Sequence, residues 1–146
     1  MDKKKIFVSP CLLGIPCRYD GKSKPNKDVI SALANYDFVC VCPEVSGGLP
    51  TPRKPSEISG DRVVMIDGTD VTREYNLGAQ NALNAAKDNG CAIAILKSRS
   101  PSCGKGFIYD GTYTKTLKEG NGITAQLFMD NGITVIDETE LDKLNI

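Results

Sequence analysis

The sequence predicts an α/β protein: one domain over residues 1–146, built on an open, mostly parallel sheet of Rossmann-like three-layer design with helices on both faces. Three observations carry this. Apolar or β-branched runs at 5–9, 37–42, 91–97 and 133–137 alternate with stretches of helical periodicity. The runs 38–41 and 91–96 are unbroken, as strands covered on both faces are. A helix–Asp-Asn-Gly–strand unit also occurs twice, with the tripeptide at 88–90 and 130–132.

Each element has a local reason. The first strand, 5–9, is short, and 10–26 is a loop marked by Pro10, Gly14, Pro16, Gly21 and Pro25. Asn26 caps a helix over about 27–36 that carries Val29, Ile30, Leu33 and Ala34 on one face. The second strand, 37–42, ends at Pro43. Residues 44–61, with Gly47, Gly48, Pro50, Pro52 and Pro55, read as a long irregular segment, and such loops are usually functional or disordered. A short strand at 62–66 follows. Thr72 caps a helix to about 89, with the stripe Tyr75, Ala79, Ala82, Leu83 and Ala86 and a left-handed Gly90 beyond its end. The third main strand is 91–97. Residues 112–121 suggest a hairpin or crossover, 123–131 a helix, 133–137 the last strand, and 138–146 a short capping helix.

Composition narrows the function. Eighteen basic and eighteen acidic residues give no net charge, so nothing marks a nucleic-acid footprint and a small substrate is expected. No apolar run approaches membrane-spanning length, and Ile6-Phe7-Val8 is too short for a signal-peptide core, so a cytoplasmic protein is expected. The sequence carries no signal for oligomeric state. Histidine is absent, which removes the usual general base and the commonest zinc ligand.

Six cysteines remain, and in a cytoplasmic chain they point to metal or catalysis before disulfides. Ligands of open α/β sheets bind outside the carboxyl ends of the strands. Cys11 lies just past the first strand, Cys42 at the end of the second, and Cys103 in the loop after the third. Cys40 and Cys91 lie inside apolar runs and read as core residues. Cys17 stays open between a fourth ligand, a resolving thiol and a structural role. The loops are also echoes: Ser9-Pro10-Cys11 with Tyr19-Asp20-Gly21, and Ser100-Pro101-Ser102-Cys103 with Tyr109-Asp110-Gly111, read as two loops facing one pocket.

No Cys-x-x-Cys is present, against both a zinc knuckle and a thioredoxin-type dithiol. Dispersed thiolates suit an iron–sulfur cluster, and three ligands on a cubane leave one iron open for Lewis-acid work. Glu44, two residues past Cys42, is the candidate base. Ser100 and Ser102 flank Pro101 beside Cys103. Asp20 and Asp110 read as turn formers, and Arg18, Arg53 and Arg99 are candidates for a polar substrate edge.

Six motifs make the chain resemble a known family: Ser-Pro-Cys-Leu-Leu-Gly at 9–14, Cys-Arg-Tyr-Asp-Gly at 17–21, Cys-Pro-Glu-Val at 42–45, Gly-Gly-Leu-Pro-Thr-Pro-Arg at 47–53, Ser-Pro-Ser-Cys-Gly at 100–104 and Tyr-Asp-Gly at 109–111. The family is bacterial and archaeal, was long known only as a domain of unknown function, and has members described as thiouracil desulfurases, or desulfidases. The resemblance implies a [4Fe–4S] cluster held by Cys11, Cys42 and Cys103, its fourth iron free for the substrate sulfur. It also implies assistance from a glutamate and a serine, which fall on Glu44 and Ser100, with Ser102 equally near. The expected reaction is non-redox desulfuration of a thiolated heterocycle such as 2-thiouracil. The rival expectations are a non-catalytic iron–sulfur or metal-binding protein and a metal-free thiol oxidoreductase using Cys11 and Cys17.

Overall fold

A computed structural model describes residues 5–145. Its centre is a four-stranded, all-parallel sheet of β1 (Lys5–Val8), β2 (Asp37–Cys40), β5 (Ile93–Leu96) and β8 (Thr134–Asp137), in the spatial order β2-β1-β5-β8. Between β2 and β5 the chain forms α2 (Pro43–Ser46), β3 (Ser56–Ser59), β4 (Arg62–Met65) and α3 (Thr72–Asp88). Between β5 and β8 it forms β6 (Phe107–Tyr109), β7 (Leu117–Glu119) and α4 (Ile123–Asp130), while α1 (Lys27–Ala32) joins β1 to β2.

Side chains alternate across the sheet with the period of two that strands impose. Phe7, Ala94, Leu96 and Val135 face α3 and α4, where they meet Ala82, Leu83, Ala86, Ala125 and Phe128. Ile6, Val8, Ile95 and Ile136 face the other way, toward Leu12, Val29, Leu33 and Leu144. The three-layer design is therefore as expected. Phe7 and Phe128 pack edge to face with centroids 5.0 Å apart. The hairpins β3–β4 and β6–β7 share a third cluster with Tyr75 of α3.

Several local expectations are corrected. The helix after Asn26 is α-helical only to Ala32 and then tightens into a 3-10 turn over Leu33–Asn35; Val29 and Leu33 are buried but Ile30 is exposed, because a strip this narrow cannot hold adjacent positions 29 and 30. Asn26 does cap it, accepting from the N–H groups of Asp28 and Val29 at 3.0 Å each. Strand β2 is the sheet edge, so Phe38 is 48% exposed and Cys40 only half-buried despite the unbroken apolar run. Pro43 does not merely stop that strand; it opens α2 at the position where a missing N–H costs nothing. The segment 44–61 contains α2 and β3, the latter paired antiparallel to β4. Thr72 is the first residue of α3 rather than its cap, and its Oγ1 accepts the Val63 N–H at 2.8 Å. Gly90 has the left-handed φ of +68° expected beyond the helix end.

Candidate active site

The sheet order places a crevice. The connection leaving β1 runs to α1 on one face, whereas the one leaving β5 runs to α4 on the other, so loops part at the carboxyl end of these neighbours. A cavity of about 610 Å³ opens there. It is lined by Cys11, Cys17, Cys42 and Cys103, with Glu44, Ser100 and Arg53 among the other walls. The two echoed loops both reach it, while their aspartates make turns: Asp20 accepts from the Lys22 N–H and Asp110 from that of Thr112, each at 3.0 Å.

Each functional side chain has a local support. Ser9 follows β1 and ties it to the neighbouring β5, its N–H donating to the Ile95 carbonyl (2.9 Å) and its Oγ accepting the Lys97 N–H (2.9 Å). Pro10–Leu13 then form a 3-10 turn that carries Cys11, closed by Gly14 at φ +95°. Cys42 stands at the N-cap of α2 and Glu44 in its first turn. That helix lies against α3 through two glycines. A Cβ on Gly78 would stand 1.7 Å from the Pro43 carbonyl oxygen, and one on Gly47 would stand 2.0 Å from that of Glu74. Cys103 sits in a loop held by α4, whose first N–H groups donate to the loop's carbonyls: Ile123 to Pro101, Thr124 and Ala125 to Ser102.

The structure separates the two serines. Ser102 is fully buried and turned away from the cavity, its Oγ 2.8 Å from Thr124 Oγ1. Ser100 lines the cavity, and its Oγ accepts the N–H groups of Ser102 and Cys103 at 3.0 and 3.1 Å. With the oxygen so occupied, its hydroxyl proton is left to donate.

Glu44 is more elaborately held than its sequence position suggests. Its Oε1 accepts both the Tyr75 hydroxyl at 2.7 Å and Arg53 Nε at 3.2 Å. No donor among the described residues reaches Oε2. Because no fully enclosed side-chain oxygen among the described residues lacks a partner, Oε2 keeps some exposure, and Glu44 lines the cavity. The Arg53 side chain is only 2% exposed and donates also to Pro50 O, Thr51 Oγ1 and Cys17 O at 3.0–3.1 Å. Arg53 therefore serves Glu44 and the Cys17 loop. Tyr75 read as one residue of an apolar stripe, and nothing in that stripe marks its hydroxyl. Burial, and then the neighbouring Glu44 charge, push that hydroxyl far up, so it remains a donor. Arg18 and Arg99 line the cavity, and among the described residues the non-glycine positions with left-handed φ, Arg99, Tyr113 and Lys115, do so too.

Cys11, Cys17 and Cys42 line the same stretch of wall, and Cys42 Sγ donates to Cys17 O at 3.7 Å. The contact with Cys11 is foremost in pushing the Cys17 thiol up to about 11, and the contact with Cys17, then burial, pushes Cys42 up further. Burial pushes Cys103 up to about 12. Cys91 is buried below the sheet's α3–α4 face, away from the cavity, and Cys40 lies outside it as well.

An α/β fold with cysteines gathered at the switch point of its sheet defines a class, and the chain belongs to the 2-thiouracil desulfurase family: the family's model matches residues 6–140. It is similar to a solved structure described as the [4Fe–4S]-dependent thiouracil desulfidase TudS, with 46% identity and a TM-score of 0.93 over 98% of this chain and 96% of that one. It is also 40% identical to the uncharacterized protein YbbK of Bacillus subtilis (strain 168) over 149 residues, 95% of this chain and 99% of that protein.

The chemistry of the donor set fits an iron–sulfur cluster: the cavity brings together thiols with no histidine among them, and soft thiolates are the usual ligands of such a group. The buried thiols must release their protons when they bind it.

Proposed function

We propose that this chain catalyses iron–sulfur-dependent, non-redox desulfuration of a thiolated heterocycle such as 2-thiouracil, with Cys11, Cys42 and Cys103 holding a [4Fe–4S] cluster and Glu44 and Ser100 assisting. One observation carries the reading: a thiol from the exit of β1, of β2 and of β5 lines a single cavity into which a free carboxylate oxygen opens. When bound, the cluster supplies a Lewis-acidic iron with affinity for the thione sulfur.

The protein's own groups supply the rest. Tyr75 and Arg53 occupy Glu44 Oε1 and so aim Oε2 at the cavity, where it takes a proton from the water that attacks the carbon–sulfur centre. Ser100 directs its free proton at the heterocycle and holds the Cys103 N–H through its oxygen. The carbon exchanges sulfur for oxygen at the same oxidation level. Water supplies the oxygen and both protons, the oxo heterocycle and sulfide leave, and no external reductant is consumed. Because the six cysteines are free and such a cluster needs a reducing setting, we place the reaction in the cytoplasm.

A metal-free thiol oxidoreductase using Cys11 and Cys17 would instead be active as a colourless, iron-free anaerobic preparation. The deciding experiment is anaerobic reconstitution with iron and acid-labile sulfide quantified, followed by single-turnover release of uracil from 2-thiouracil. Matched iron and sulfide with uracil release is expected. A loaded protein that releases none would favour a storage role, and full cluster incorporation by Cys42→Ala would overturn the ligand assignment.

A further inference from the structure

A second carboxylate opens on the same cavity. Glu57, in β3, is 8% exposed and lines the wall beside Ser56. Its Oε1 accepts the N–H groups of Gly111 and Tyr113 at 2.9 and 3.2 Å. Among the described residues it has no ion-pair partner, and no donor reaches Oε2. Among the described residues every fully enclosed side-chain oxygen is partnered, so Oε2 keeps some exposure, and Glu57 lines the cavity. Two backbone N–H groups ask only for one carbonyl-type oxygen, which a glutamine would supply without burying a charge. A buried carboxylate with no cation is costly, and its remaining oxygen calls for a donor from outside the chain.

We propose that Glu57 is a substrate-binding residue whose Oε2 accepts the ring N–H flanking the thione carbon. The inference rests on the desulfuration reading. A thiolated heterocycle in its thione form carries an N–H beside the carbon–sulfur bond, and a carboxylate binds that group by a charge-assisted hydrogen bond. The thiol tautomer presents a nitrogen lone pair there and is repelled. Glu57 therefore selects the thione form of substrates whose flanking nitrogen is unsubstituted.

Glu57→Gln separates this role from a structural one. Its carbonyl oxygen keeps the Gly111 and Tyr113 bonds, while an NH₂ donor replaces the acceptor facing the ligand. With anaerobic, cluster-loaded protein, KM for 2-thiouracil and the calorimetric Kd for uracil are expected to rise about tenfold or more, with kcat and the cluster absorbance little changed. Wild type should also lose about tenfold in kcat/KM on either the 1-methyl or the 3-methyl isomer of 2-thiouracil, and the variant should not discriminate. Wild-type KM and uracil affinity in Glu57→Gln, or equal use of both methylated isomers by wild type, overturns the assignment. Absence of any turnover by wild type overturns the desulfuration reading instead.

Discussion

At the scale of single residues, Glu44 is held through one oxygen by Arg53 and Tyr75, which leaves its other oxygen without a partner among the described residues. Its place two residues past Cys42 marked it as a candidate, because a short link aims it at whatever Cys42 faces. Its partners were hidden: Arg53 and Tyr75 are nine and 31 residues away, and only the folded loop before β3 and the packed α3 bring them to it. The Ser100–Ser102 ambiguity was equally out of reach, since both flank Pro101 and only the docking of α4 turns Ser102 toward Thr124. Two expectations follow at this scale. Glu44→Gln should keep the cluster and its spectrum yet slow uracil release by about 10²-fold, the scale of a positioned base. Equal single-turnover rates would remove Glu44 from the chemistry. Ser102→Ala should leave those rates intact but lower stability by roughly 1–3 kcal/mol, because Thr124 Oγ1 loses its buried partner. Urea unfolding measures that loss.

At the scale of elements, the main strands and helices were legible because they carry long periodic or unbroken apolar patterns. The exceptions have physical causes. Four residues of α2 are about one turn, too few for a periodicity to show, and β3 follows three prolines that read as a loop. Strand β2 was legible as a strand but not as an edge, since apolar content does not reveal how many neighbours a strand has. The short α2 matters most, for it carries Cys42 at its cap and Glu44 in its first turn. Its seat on α3 depends on Gly47 and Gly78, whose missing side chains let backbone meet backbone. Gly78→Ala places a methyl where the Pro43 carbonyl lies, so the helices must separate and take both groups with them. The expected loss is about 3 kcal/mol or more, at or beyond the upper end of ordinary overpacking. Iron content after reconstitution should fall in the same variant. A stable, fully loaded Gly78→Ala protein would show that α2 is not positioned this way.

At the scale of the molecule, the three proposed ligands come from segments brought together only by the completed fold. Cys11 follows the central strand β1, Cys42 follows the edge strand β2, and Cys103 lies between β5 and α4. The sequence made that convergence readable because all three occupy the same topological position, the carboxyl end of a parallel strand. It gave only part of the hairpins that close the cavity with Glu57, Tyr109 and Tyr113, a short strand at 62–66 and a hairpin or crossover at 112–121, because their strands are three or four residues long and too short to show a period. A group held by three such segments must bind the folded chain far better than the unfolded one, so its binding energy is also folding energy. At a hundredfold excess over the dissociation constant the gain is about 2.7 kcal/mol. For a chain of this size each kcal/mol shifts Tm by about 2–4 °C, so the loaded protein should melt roughly 5–10 °C above the cluster-free one under nitrogen. Cys42→Ala should abolish that difference. Cys91→Ala, which trims a buried thiol remote from the cavity, should lower both melting points by a similar small amount, for about 1 kcal/mol, and leave their difference intact. An equal gain in Cys42→Ala would show that the cluster is held by other residues, and no gain in wild type would show that the three segments are fixed without it.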